Sequence, residues 1–217
     1  MVCSEVVMLN EGLAHRAANP EGMHQAEAAL LGAARQGDLA AFNRLVLLYQ
    51  DSLYGWVNSL VKDEALADDI TQAVFLKAYE KLDHFRGGSF RAWLFTIARN
   101  RSFDELRKHR RHPTVSLDGS PEDERERLAA LPDGAPLPEE ALLASEQAEI
   151  VLQMLNRLPD AFQQVLRLVD MEGLEYLEAA AILGLTLGTL KSRLTRARLK
   201  MRDLLSTWES ERRTLAL

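Results

Sequence analysis

Between His112 and Glu139 the chain holds five of its seven prolines, no aromatic residue, and the acids Asp118, Glu122, Asp123, Glu124, Glu126, Asp133 and Glu139. Such a stretch cannot bury enough apolar surface to offset the entropy of ordering it, so it reads as a linker. Whatever folds must fold on either side of it. Both flanks are patterned for helices, and no alternation of apolar and polar residues lasts beyond a few positions. The expected fold is all-α: two small helical domains joined by a flexible acidic linker. We place a disordered tail at 1–24, a first domain at 25–112, the linker at 113–139, a second domain at 140–208 and a C-terminal tail at 209–217. A linker of roughly 26 residues could reach about 80–90 Å when fully extended.

In the first block, apolar residues recur at helical spacing from Leu30 and Ala34 through Phe42, Leu45, Val46, Tyr49, Leu53, Trp56 and Leu60. Gly37-Asp38 interrupts the run and offers Asp38 as the N-cap of the second helix. The pattern predicts a further helix over Glu64–Leu82 and another from Ser89 to about Arg111, separated by Arg86-Gly87-Gly88. In the second block, helical pattern resumes at Glu140, stops at Leu158-Pro159 and continues to about Trp208.

Charge is distributed unevenly. The chain has 26 basic and 32 acidic residues and a formal net charge of -6, yet LGTLKSRLTRARLKMR (Leu187–Arg202) carries six Lys or Arg and no acid. At about 100° per residue, Leu187, Leu190, Leu194, Ala197, Met201 and Leu205 share one stripe. Lys191, Ser192, Thr195 and Arg196 point the opposite way, with Arg193 and Lys200 on one flank and Arg198 on the other. Just upstream, Glu175–Leu183 predicts a short helix, joined through Gly184-Leu185-Thr186. Two helices, a tight turn with Gly and a basic second helix make a helix-turn-helix. In that geometry the second helix enters the major groove, its outward side chains read base edges and flanking cations hold phosphates.

A second basic cluster spans Phe85–His112. It carries Phe85, Phe90, Trp93, Phe95 and Phe103, and its second half has Arg99, Arg101, Arg107, Lys108, Arg110 and Arg111 against Asp104 and Glu105. Cations that follow a backbone beside rings that stack on unpaired bases suit single-strand binding. Phe90, Trp93, Leu94 and Ile97 fall on one face and are expected in the core. Phe85, beside Gly87-Gly88, is the aromatic expected to be accessible.

Other chemistry finds little footing. No run of about 18 apolar residues could span a membrane, and no secretory signal is evident. The single Cys3 forms no internal disulfide and fits a reducing cytoplasm. Five His without zinc spacing leave metal and other cofactors unexpected. No catalytic triad, paired carboxylates or phosphate loop is evident, and Asp68 and Asp69 point about 100° apart on a helix. The chain does not read as an enzyme.

DDITQAVFLKAYEKLDHF (Asp68–Phe85), WLFTIARN (Trp93–Asn100) and GTLKSRLTRAR (Gly188–Arg198) resemble the region 2 and region 4 signatures of an extracytoplasmic-function sigma factor, the smallest class of bacterial RNA polymerase initiation factor. The resemblance implies that the first domain docks on the clamp helices of the largest core polymerase subunit and captures the −10 element as a melted strand. The second domain, at the polymerase flap, would read the −35 element as duplex. By position, Asp69, Gln72 and Phe75 match the core-binding motif, although Ala73 stands where the family usually has Glu. Phe85, Ile97 and Asn100 match the pocket for a flipped −10 base, with Arg86, Arg99 and Arg107 nearby. Lys191, Ser192, Thr195 and Arg196 match the −35 readers, flanked by Thr189, Arg193 and Arg198.

Glu175 replaces the family's usual Ser or Thr cap, at an expected cost of about 1 kcal/mol, and Ala179 replaces Ile. The resemblance also implies an anti-sigma partner, a monomer when free, and a cytoplasmic location, with tethering at the inner membrane where the anti-sigma factor is anchored there. The competing readings are an autonomous helix-turn-helix transcriptional regulator and a helical adaptor that binds no nucleic acid.

Overall fold

The structure, a computed structural model, describes residues 20–111 and 139–215. The linker expectation over 113–139 and most of the N-terminal tail expectation lie outside those residues. The described residues form eight α-helices and no strand.

Helix α1 (Pro20–Arg35) ends before Gly37, whose φ of 91° suits a residue without Cβ. Asp38 then caps α2 (Leu39–Val61), its Oδ1 accepting the Ala41 N–H at 3.1 Å. This satisfies one of the donors that a helix start leaves without an intrahelical partner. Helix α2 buries Phe42, Leu45, Tyr49, Leu53, Trp56 and Val57, the three- and four-residue spacing of a single face. Lys62, in the left-handed conformation at φ 57°, stops it. Asp63 restarts the chain as α3 (Glu64–Glu80), accepting from the Leu66 N–H at 2.9 Å.

A 3-10 turn, Leu82–His84, leads through the Gly87-Gly88 loop into α4 (Phe90–Arg111). Ring contacts knit this half together: Trp56 to Phe95 at 5.2 Å between centroids, Tyr49 to Phe90 at 5.8 Å, and Phe42 to Tyr79 at 4.9 Å. Buried Thr71 meets its polar requirement by donating to the Ala67 carbonyl at 2.7 Å.

The second half comprises α5 (Glu139–Asn156), α6 (Asp160–Leu166), one turn of π-helix (Arg167–Met171), α7 (Tyr176–Leu183) and α8 (Leu187–Leu215). The Leu158-Pro159 corner is held by the buried Gln163 amide, which donates to the Leu158 carbonyl at 2.8 Å. Two boundaries differ from the sequence reading. Helix α1 begins at Pro20, inside the expected tail, and α8 runs to Leu215, through residues assigned to a C-terminal tail. The alternation that would end α8 at Trp208 is weak because an exposed helix end needs no apolar stripe.

The two halves touch. Helix α4 lies against α7 and α2 against α6, and the buried residues of both halves form one contiguous cluster. Lys62 pairs with Asp160 at 2.8 Å, the Gln164 amide donates to Ser59 Oγ at 3.0 Å, and Arg91 donates to the Glu172 carbonyl. Nothing in the sequence marks this seam, since side-chain pairs across a long connection leave no periodic trace.

Candidate nucleic-acid interface

The helix-turn-helix is built by local chemistry. At the start of α7, the Glu178 carboxylate accepts the Glu175 N–H at 3.2 Å. Where Ser or Thr is absent, Glu178 thus serves the Glu175 backbone in a capping-box arrangement. Gly184 ends α7 at φ 66° and ψ 35°, where any Cβ would be strained. Thr186 opens α8, its Oγ1 accepting the Thr189 N–H at 3.2 Å and lying 2.8 Å from the Thr189 hydroxyl.

Along α8, Leu190, Leu194, Ala197 and Met201 are buried while Lys191, Ser192, Thr195 and Arg196 are exposed. Ser192 donates to the Thr189 carbonyl at 3.0 Å and Thr195 to the Lys191 carbonyl at 3.0 Å. Both hydroxyls are thereby oriented, with lone pairs left to accept from a ligand. No acid of the described residues forms an ion pair with Lys191, Arg193, Arg196 or Lys200, although Arg193 is half-buried. Arg198 is different. It grips Asp170 through Nε at 3.0 Å and a terminal nitrogen at 2.5 Å, so the fold already uses it.

Around α4, Phe85 is not the accessible ring the sequence suggested. It is only 7% exposed, packed against Trp93 at 5.2 Å and edge-on to Phe90 at 5.6 Å, with the Arg35 guanidinium 5.5 Å from its centroid. Flexible neighbours do not expose a ring when three groups from elsewhere enclose it. Phe103 is the exposed aromatic of this helix, with Arg99 over its face at 5.1 Å.

Phe90 and Leu94 are buried as expected, while Trp93 and Ile97 are partly buried. Asn100 and Arg86 are exposed. Arg99 is half-buried, reaching toward Asn100 Oδ1 at 3.5 Å and toward the position a Cβ would take at Gly184, 3.2 Å away. Arg107 lies 3.6 Å from Asp104, an exposed pair that competes little with a phosphate.

On α3, Asp69 and Gln72 are exposed and Phe75 is buried. The Gln72 amide donates to Asp68 Oδ2 at 2.9 Å. Between α2 and α3 a groove of about 600 Å³ is lined by Phe42, Val46, Tyr54, Asp68, Gln72 and Phe75 among others. Leu39, Leu47 and Leu76 are exposed on the same helices. Burial raises the Tyr54 phenol above its ordinary value, assisted by the charges of Glu64 and Asp68. An apolar floor with a polar rim suits a protein helix better than a nucleic acid. Among the described residues no cluster of three metal-ligating side chains occurs, and no helix is long and apolar enough to cross a membrane.

Sequence reasoning missed Arg35. It lies in α1, distant from the loop it holds, and a single basic residue in a last helical turn ordinarily signals only the helix dipole.

Residues 45–112 match the family model described as Sigma-70 region 2, and residues 148–201 the model described as Sigma-70, region 4. The chain is similar to the RNA polymerase sigma-H factor of Pseudomonas aeruginosa, 38% identical over 167 residues that span 76% of this chain and 86% of that protein. It is also similar to the ECF RNA polymerase sigma-E factor of Escherichia coli K12, 36% identical over 166 residues with the same two coverages, 76% and 86%. Among solved structures it is similar to the sigma factor RpoE of Bartonella quintana in complex with the anti-sigma factor NepR. The TM-score is 0.54 at 31% identity, covering 76% of this chain and 96% of that one. The structure of CnrH in complex with the cytosolic domain of CnrY gives a TM-score of 0.53 at 27% identity, covering 84% and 98%.

Proposed function

Because the chain belongs to the extracytoplasmic-function sigma factors of bacterial RNA polymerase, we propose that it reads the −35 element as duplex with α8 and captures the melted −10 strand beside α4. It is a non-catalytic transcription initiation factor; core polymerase performs the nucleotidyl transfer.

The observation that carries the −35 assignment is the outward face of α8. Lys191, Ser192, Thr195 and Arg196 are exposed, and neither cation has an acidic partner among the described residues. A cation bound bidentately to a guanine edge discriminates by about 1–3 kcal/mol, and oriented hydroxyls complete the reading surface. For the −10 strand, exposed Asn100 offers its side-chain amide one helical turn after half-buried Ile97 on α4. A flipped base costs a few kcal/mol of stacking, which shape fit and amide hydrogen bonds must offset. Asp69, Gln72 and the α2–α3 groove serve the core polymerase clamp. The RpoE relative is held by an anti-sigma factor, which supports a like inhibitor for this chain.

The test is run-off transcription with added core polymerase on a promoter mapped from its own start sites. Combined Lys191→Ala and Arg196→Ala should lower use of that promoter by about 10–100-fold, the loss of one to two specific base contacts. The variant should no longer distinguish intact from scrambled −35 templates. Equal use of both templates by the wild-type factor would exclude the assignment.

A further inference from the structure

Three contacts converge from Arg35 on the loop that precedes α4. Its Nε donates to the Leu82 carbonyl at 3.4 Å, a terminal nitrogen donates to the Phe85 carbonyl, and the guanidinium stacks 5.5 Å from the Phe85 ring. These carbonyls bracket the 3-10 turn, and the Leu82 oxygen already accepts the Phe85 N–H at 3.1 Å. Beyond Phe85, Gly87 and Gly88 both have positive φ, 97° and 86°, and nothing lies within 4 Å of where their Cβ atoms would be. The next anchor is Ser89, whose Oγ accepts the Ala92 N–H at 3.0 Å at the start of α4. The span from Arg86 to Gly88 is therefore open between two fixed ends, and Arg35 fixes the first of them from a different helix.

We propose that Arg35 is a positioning residue for −10 recognition: it sets the direction in which the Phe85–Ser89 loop leaves the helical bundle, and so the shape of the pocket that receives the extruded base. This rests on the reading of the α4 face as the −10 site and adds to it a residue outside that face.

The chemistry favours arginine there. A planar guanidinium can bond two carbonyls and stack on a ring at once, whereas an ammonium can follow only one of these geometries well. Without the clamp, the loop must be ordered at the moment the strand is captured, so the penalty falls on strand capture and not on duplex binding. Phe85 also packs on Phe90 and Trp93, contacts that do not involve Arg35, so the helical core is expected to survive its replacement.

The experiment compares open-complex formation by holoenzyme carrying the wild-type factor, Arg35→Lys or Arg35→Ala. Templates carry the matched −10 element or single-base changes within it; core affinity and thermal melting are measured alongside. Arg35→Ala should slow opening on the matched template about tenfold and compress the matched-to-changed ratio, with core affinity and melting unmoved; a lost charge-assisted hydrogen bond to a fixed carbonyl sets that scale. Arg35→Lys should recover part of the ratio. An unchanged ratio in Arg35→Ala overturns the proposal, as does a uniform loss on every template that tracks lowered melting. A wild-type holoenzyme indifferent to −10 changes would instead remove the −10 reading itself, and this inference with it.

Discussion

Arg198 faces two claims, from the fold and from DNA. Its bidentate bond to Asp170 raises the guanidinium above its ordinary value, the hydrogen bonds outweighing partial burial, so Arg198 keeps its charge. Half of it is solvent-exposed, so its worth to stability is about 1 kcal/mol. Arg198→Ala and Asp170→Ala should each lower stability by about that amount, and the double variant by no more than either alone, since one interaction is lost in all three. In −35 duplex binding, Lys200→Ala, on the exposed flank of α8, should reduce the slope of log affinity against log salt by about one and Arg198→Ala should leave it unmoved. A matching slope change in Arg198→Ala would return that side chain to the phosphates.

Tyr49 offers a pH test at the same scale. Burial, followed by the nearby Glu27 carboxylate, pushes its phenol up from 10.0 to about 12. The folded state thus holds this proton more tightly than the unfolded chain does. The associated stability is full below pH 10 and is lost as pH rises toward about 12. Tyr49→Phe should flatten the fall of denaturation midpoint across that window relative to wild type.

Helix boundaries set by adjacent residues were the most legible feature. Asp38 three residues beyond a helix end, and Gly184 between two apolar runs, specify a cap and a turn through their own backbone needs, which is why α2 and the helix-turn-helix stand where the sequence placed them. Gly184→Ala should cost about 1–2 kcal/mol, the penalty of a Cβ in the left-handed region, read as a lower denaturant midpoint. The exposed face of α8 was legible for the same reason, because helical geometry alone sorts Lys191 and Arg196 from Leu190 and Leu194.

What sequence could not show depended on distant partners. Phe85 is enclosed through Arg35 of α1, Arg198 is engaged through Asp170, and Asp170 lies in the π-turn between α6 and α7, where Glu172 N–H reaches the Arg167 carbonyl at 2.9 Å. A widened turn has no periodic signature, and a side chain's partner across the fold has none either.

Across the whole molecule, the seam between the halves is poorly satisfied. Among the described residues Arg99 Nε, Gln164 Oε1 and Arg167 Nε are buried with no hydrogen-bond partner, and burial lowers the Arg167 guanidinium from its ordinary value. Each buried polar atom left unpaired costs about 1–3 kcal/mol. The Lys62–Asp160 pair that closes one edge is exposed on both sides and returns little. Such an interface suits halves that part. Arg99 of α4 lies beside Gly184 of the helix-turn-helix, so the surfaces proposed for the −10 strand and the −35 duplex belong to halves that this seam holds together.

On the proposed function the two promoter elements are held on one duplex about two turns apart, near 34 Å per turn. If both are read together as proposed, the halves separate to reach them. Lys62→Cys with Asp160→Cys, in a Cys3→Ser background and bridged by a short bismaleimide, should abolish open-complex formation. Each single-cysteine protein treated with the same reagent should retain it. Full promoter opening by the bridged factor would mean that the docked arrangement itself engages DNA, and that the unpaired atoms at Arg99, Gln164 and Arg167 have some use other than letting the halves come apart.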